Sequence, residues 1–138
     1  AVNIPNDTLQ LDLRACPDLI PSVIITASQK LKELTIKGVS TLRIKESNRV
    51  KALQNELAKI GTIVEEIGGD ELKVISSKSN LDGFQFKTYN DHRIAMCLAP
   101  LVLSSDSITI ENPVVVGKSF PGYWEQFKKF NIRIQSSN

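Results

Sequence analysis

Apolar residues recur at helical spacing in four stretches of this 138-residue chain. The clearest stretch is Ser47 to Ile60, where Val50, Leu53, Leu57 and Ile60 share a face and Gly61 follows as a stop. A second runs from about Asp18 to Gln29, with Leu19, Val23, Ile24 and Ala27 turned inward. A third spans Asp91 to Leu103 and carries Ile94, Cys97, Leu98 and Leu101 on one side. The last begins near Pro121, whose fixed φ suits a first helical turn, and is expected to bury Phe120, Trp124, Phe127 and Phe130. Strand-like runs lie between them: Thr8 to Leu13, Leu34 to Val39, Thr62 to Ile67, Glu71 to Ile75 and Ile108 to Glu111, with Gly68-Gly69-Asp70 as a turn. The order β-α-β-α-β-β followed by β-α-β-α predicts an α/β domain.

The pattern also echoes itself. Asp18 and Asp91, each opening a helix, lie 73 positions apart, as do Lys45 and Lys118. The run Leu34-Thr35-Ile36-Lys37 is mirrored by Ile108-Thr109-Ile110-Glu111, 74 positions on. These landmarks predict two copies of a βαβα-type unit, the second lacking its final hairpin.

Composition narrows the field. With 41% apolar and 23% charged residues the chain can bury a core, and a net charge of +2 gives no footing for nucleic-acid binding. No run reaches the roughly 18 apolar residues of a membrane helix. The chain starts at Ala1-Val2-Asn3 without methionine, which reads as a processed or truncated start. Cys16 and Cys97 lie 81 positions apart without a second Cys or His nearby, so both are expected to be buried, reduced thiols rather than metal ligands.

The chemistry gathers at the predicted helix starts: Cys16-Pro17-Asp18, Lys45-Glu46-Ser47-Asn48-Arg49, Asn90-Asp91-His92-Arg93 and Gly117-Lys118-Ser119-Phe120-Pro121. A cation at a helix N-terminus opposes the macrodipole at a cost of about 0.3–1 kcal/mol. Lys45, Arg49, Arg93 and Lys118 in such places therefore point to a multiply charged anion, phosphate or carboxylate, as ligand. If the repeat holds, these residues line one solvent-accessible wall, with Asp18 and Glu46 among them in acid–base roles. No Gly-rich phosphate loop, nucleophile elbow or HExxH motif is present, which favours chemistry without metal, cofactor or covalent nucleophile. Plainer readings compete. Asp18 or Asp91 alone reads first as a helix cap, Lys45-Glu46 with Arg49 as a solvated face, and His92 as a surface residue.

Four of these strings resemble the motifs of one family, the 5-enolpyruvylshikimate-3-phosphate synthases. Lys45-Glu46-Ser47-Asn48-Arg49 is similar to its Lys-Glu-Ser/Thr-Asp/Asn-Arg motif, and Asn90-Asp91-His92-Arg93-Ile94-Ala95-Met96 to its Asn-Asp-His-Arg-Met-Ala-Met motif. Gly117-Lys118-Ser119-Phe120-Pro121 resembles the closing Lys-Ser/Thr-Phe-Pro, and Pro17-Asp18 an earlier Pro-Asp. The resemblance implies two similar domains built from βαβαββ units. This chain would supply unit one at about 8–77 and an incomplete unit two at about 83–138, the other domain being absent.

It further implies transfer of the enolpyruvyl group of phosphoenolpyruvate to shikimate 3-phosphate. Asp18 would contact shikimate 3-phosphate and take its 5-hydroxyl proton. Lys45 would contact the shikimate moiety, and Glu46 would protonate the methylene of phosphoenolpyruvate. Arg49, Arg93 and Lys118 would hold phosphoenolpyruvate, with His92 in support. Thr41 stands where many members carry Asn, and Asn48 where others carry Asp. Three rivals remain: the related transferase acting on UDP-N-acetylglucosamine, a non-catalytic module binding a phosphorylated metabolite, and a structural piece whose charges aid solubility.

Overall fold

Alternation builds the first sheet. In β2 (Glu33–Lys37) and β4 (Glu71–Ile75) the second and fourth side chains are buried, as a strand covered on one face requires. Their antiparallel register sets Leu34 opposite Val74 and Ile36 opposite Leu72, two cross-strand apolar pairs in the core. β1 (Thr8–Asp12) lies parallel to β2, and β3 (Ile63–Gly68) forms a hairpin with β4 through Gly69-Asp70, giving the order β1-β2-β4-β3. At the end of β2, Gly38 has φ +106°, and a Cβ there would meet the Arg14 backbone nitrogen at 2.7 Å, so only glycine fits. A second, parallel pair joins β5 (Phe84–Phe86) to β6 (Ile108–Ile110). This computed structural model describes residues 7–77 and 79–135.

The helices are α1 (Ile20–Lys30), α2 (Arg49–Ala58), α3 (His92–Leu98) and α4 (Tyr123–Lys128), and α1 packs against both α2 and α3. The apolar stripe read for α2 is buried throughout, as is that of α3. Gly61 takes φ +79° beyond α2, and the Thr62 N–H returns to the Leu57 carbonyl, closing the helix as the stop signal predicts. The third helix is shorter than its apolar pattern, giving way to a 3₁₀ segment, Ala99–Ser104. Pro100 has no N–H for the Met96 carbonyl, which accepts instead from the Tyr123 hydroxyl at 2.8 Å.

Two expectations about the core need correction. Leu19 is 55% exposed, because it belongs to a 3₁₀ turn, Pro17–Leu19, whose three-residue period takes it off the stripe that begins at Ile20. Val23 is only partly buried, and Ile20, Ile24, Ile25 and Ala27 form the buried face. No residue of α4 is fully buried, and on either side of it Phe120 is exposed and Phe130 is 72% exposed. The aromatic rings there pack mainly on one another, Tyr123 meeting Phe120, Trp124 and Phe127 at centroid distances of 5.0–5.5 Å.

The echo seen in the sequence reappears in the elements. Each half has a parallel strand pair bridged by a helix, then a 3₁₀ turn (Ser40–Ile44 or Pro113–Lys118), then α2 or α4. The hairpin β3–β4 has no counterpart among the described residues of the second half. Among the described residues, no helix is long and apolar enough to cross a membrane.

Burial sets the cost of truncation. Ile24→Ala should lower the unfolding free energy of the chain by about 2–5 kcal/mol, and Leu19→Ala by no more than about 0.5 kcal/mol, in urea titrations followed by circular dichroism. Equal losses would contradict the assignment of Leu19 to a solvated turn.

Candidate anion-binding site

The starts of α2 and α3 are joined by a buried ion pair. Arg49, the first residue of α2, is 1% exposed, and Asp91, the N-cap of α3, is 0% exposed. The guanidinium grips the carboxylate with two bonds, Nε to Oδ2 at 2.8 Å and Nη2 to Oδ1 at 3.2 Å. The Ser47 hydroxyl donates to Oδ2 at 2.9 Å, and Asp91 Oδ1 caps the helix by accepting from the Arg93 and Ile94 N–H groups. Burial pushes the Asp91 carboxyl up. The bonds from Arg49, Ser47 and the Arg93 backbone outweigh that and hold it below the usual carboxylate range. Asn48 caps α2 by accepting from the Lys51 N–H at 3.1 Å.

Asp18 is a different kind of aspartate. It lies in the turn ahead of α1, caps nothing, and its carboxylate faces three cations from three segments. Oδ1 is 3.7 Å from Lys45 Nζ and 3.6 Å from Arg49 Nη1, and Oδ2 is 3.3 Å from Arg93 Nη2. Glu46 Oε2 accepts from Arg49 Nη2 at 2.7 Å, and its Oε1 is 4.0 Å from His92 Nδ1. Arg49 Nη1 is buried and donates to nothing among the described residues.

The structure thus brings together Asp18, Lys45, Glu46, Arg49, His92 and Arg93. Lys118 is exposed, and no carboxylate lies within ion-pairing reach of it among the described residues. Thr41 is exposed in the 3₁₀ turn Ser40–Ile44.

Two expectations about the site change. Arg49 does not stand on an accessible wall but beneath it, because Asp91 and Glu46 draw its guanidinium inward. Lys45 and Lys118 close 3₁₀ turns instead of opening helices, so their charges complement carbonyl ends and do not oppose a dipole. Within the cluster, Asp18, Glu46 and Asp91 balance Lys45, Arg49 and Arg93. Sequence reading gave Asp91 no role beyond capping and Ser47 none. The only signal was their place in the two charged strings.

Nearby, Cys97 is a buried thiol bonded to the Ile94 carbonyl, and burial drives its pKa far up. Cys16 is only half-buried, against expectation, because it precedes the exposed turn at Pro17–Leu19, and both cysteines are free. Two open concavities, of about 350 Å³ beside α1 and about 520 Å³ beside β6, are lined by none of the charged cluster.

The chain has the repeated β-α enolpyruvyl transferase fold of the solved EPSP synthases on which it superposes. Residues 2–127 match the family model described as EPSP synthase (3-phosphoshikimate 1-carboxyvinyltransferase), and the chain belongs to that family. It is 41% identical over 118 residues to the 3-phosphoshikimate 1-carboxyvinyltransferase of Proteus mirabilis, covering 86% of this chain and 27% of that one. With the enzyme of the same name from Clostridium kluyveri it shares 40% identity over 125 residues, 90% of this chain and 29% of that one. A solved EPSP synthase from Acinetobacter baumannii superposes with TM-score 0.70 at 26% identity, over 80% of this chain and 26% of that one. The chain therefore spans a little over a quarter of the length of the relatives it matches.

Two measurements test this geometry. Because the folded pKa of Asp91 is depressed, its contribution to stability is complete above the unfolded value of about 3.9 and is lost as pH falls through the folded value. Arg49→Met should cost about 3–5 kcal/mol at pH 7, by stranding a buried carboxylate, and should flatten the acid limb of a stability–pH curve measured in urea. An unchanged acid limb would exclude the pair as its source. Asp18→Asn should instead raise the affinity of the chain for inorganic phosphate several-fold in calorimetric titration, by freeing Lys45 and Arg93. Weaker binding would show that Asp18 does not compete with anions.

Proposed function

We propose that this chain forms one wall of the active site of an enzyme that transfers the enolpyruvyl group of phosphoenolpyruvate to the 5-hydroxyl of shikimate 3-phosphate. The products are 5-enolpyruvylshikimate 3-phosphate and phosphate. The observation that carries the reading is Asp18: a carboxylate with no capping role, set among Lys45, Arg49 and Arg93 from three segments.

In the addition step Asp18 takes the 5-hydroxyl proton, and the oxygen bonds to C2 of phosphoenolpyruvate. Glu46 gives a proton to the methylene carbon. In the elimination step the Glu46 carboxylate takes a proton back from the methyl group, the double bond reforms, and the C2–O bond to phosphate breaks as the proton held by Asp18 passes to the departing phosphate. Lys45 contacts shikimate 3-phosphate. Arg49, Arg93 and Lys118 hold phosphoenolpyruvate and the charge that grows on the tetrahedral intermediate, most effectively where water is excluded. The unpartnered Nη1 of Arg49 suits an incoming oxygen, since a buried donor without a partner costs about 1–3 kcal/mol. His92, at 4.0 Å from Glu46, supports the acid.

The reading makes unit one about 8–77 and unit two, incomplete, about 83–138. The rest of a two-domain polypeptide is the partner that closes the cleft. It carries with it a cytoplasmic location, service to aromatic amino acid biosynthesis, and no part for membrane, nucleic acid, metal or cofactor.

An open wall holds substrates too loosely to react, so the 138-residue chain should fold yet release no phosphate from the two substrates in a steady-state assay. In the complete polypeptide, Glu46→Gln should lower kcat by about 10²–10⁴-fold with substrate affinity nearly intact, the signature of a lost proton donor. Retained turnover would remove Glu46 as the acid, whereas a complete polypeptide with no turnover at all would leave the binding-module reading in its place.

A further inference from the structure

Glu56 is a carboxylate buried in α2 that takes no part in the charged cluster. Seven residues separate it from Arg49, so both lie on one helix face about 10 Å apart along the axis. Glu56 Oε1 accepts from the Tyr89 hydroxyl at 2.7 Å, and Oε2 accepts from the Lys87 N–H at 3.0 Å and from Lys59 Nζ at 2.5 Å. Lys59 Nζ also donates to the Gln85 carbonyl at 2.9 Å. Thus α2 is fastened to the segment leading into α3 at two points, Arg49 to Asp91 and Glu56 to Lys87 and Tyr89.

Between those points the backbone is strained. Tyr89 and Asn90 have φ of 55° and 54°, in a turn closed by the Asp91 N–H on the Thr88 carbonyl at 2.8 Å. Asparagine tolerates that region, but tyrosine there is strained and persists only where its surroundings demand it. The phenol bonded to Glu56 is such a demand. Asn90 Oδ1 in turn accepts from Asn112 Nδ2 at 2.7 Å, and Asn112, itself at φ 47°, precedes the 3₁₀ turn that ends at Lys118.

We propose that Glu56, Tyr89, Asn90 and Asn112 are positioning residues: a clamp that fixes the Thr88–Asp91 turn, and through it the seating of Asp91 against Arg49 and the approach of the Lys118 turn. The functional part rests on the charged cluster being a binding wall; the structural part does not.

Nuclear magnetic resonance of the ¹⁵N-labelled 138-residue chain separates the two. The Arg49 Nε–H, bonded to buried Asp91, gives a slowly exchanging signal. Tyr89→Phe removes only the hydroxyl. Asn112→Gly removes the short side chain, its amide included, while keeping the backbone conformation that glycine favours. In either variant the Arg49 signal should shift and exchange about ten-fold faster, with the β2 and β4 amide signals unmoved and phosphate affinity reduced a few-fold. Should Tyr89→Phe fail to fold, Asn112→Gly decides, since Asn112 is exposed. Wild-type Arg49 shifts and exchange in the folded variants would overturn the clamp. If the Arg49 signal responds but the wild-type chain binds neither phosphate nor phosphoenolpyruvate, the clamp stands and the binding-wall reading falls.

Discussion

The bond between Arg49 and Asp91 is the constraint on which the site depends. Taking both charges out of water costs several kcal/mol each, and attraction repays this only where the geometry is good and the remaining lone pairs are used. Asp91 meets that condition, accepting from Arg49 Nε and Nη2, the Ser47 hydroxyl and two backbone N–H groups. Arg49 does not, because its Nη1 is left over. A saturated carboxylate locks the two helix starts together. An unsaturated guanidinium leaves one direction, toward Asp18, in which the pair can still bind.

Distances rank the three carboxylates. Asp91 and Glu46 lie at 2.8 and 2.7 Å from their closest Arg49 nitrogens, whereas Asp18 is held no closer than 3.3 Å by any cation. It is also about half exposed. A carboxylate set so loosely among cations is free to turn. The same looseness leaves Lys45 and Arg93 held by Asp18 at 3.7 and 3.3 Å rather than in close ion pairs. Balanced charge is thus compatible with anion binding, and it lets the unliganded surface exist without self-repulsion.

Local periodicity made much of the fold legible. Val50, Leu53, Leu57 and Ile60 are all buried because an amphipathic helix declares its face within a dozen residues. The hairpin at Gly69-Asp70 declared itself through alternation and turn residues. The 3₁₀ turns were not legible, since a period of three is easily read as the first or last turn of an α-helix, and that hid the exposure of Leu19 and the true setting of Lys45 and Lys118. Nor was the Arg49–Asp91 pair, whose partners are 42 positions apart. Charged strings marked where chemistry gathers but not which aspartate would be buried. Residue roles came from resemblance alone.

The internal repeat supplies the reason for that last ambiguity. Asp18 and Asp91 stand at equivalent places, each just ahead of the helix that bridges a parallel strand pair, 73 positions apart. At the same offset, Arg49 corresponds to Gly122, the N-cap of α4. One guanidinium is therefore shared between two repeat-related carboxylates, and it cannot serve both equally. Asp91 takes the bidentate grip and disappears into the core, while Asp18 is left at 3.6 Å from the remaining nitrogen. Loss of symmetry at that one position accompanies the burial of one repeat-related aspartate and the exposure of the other.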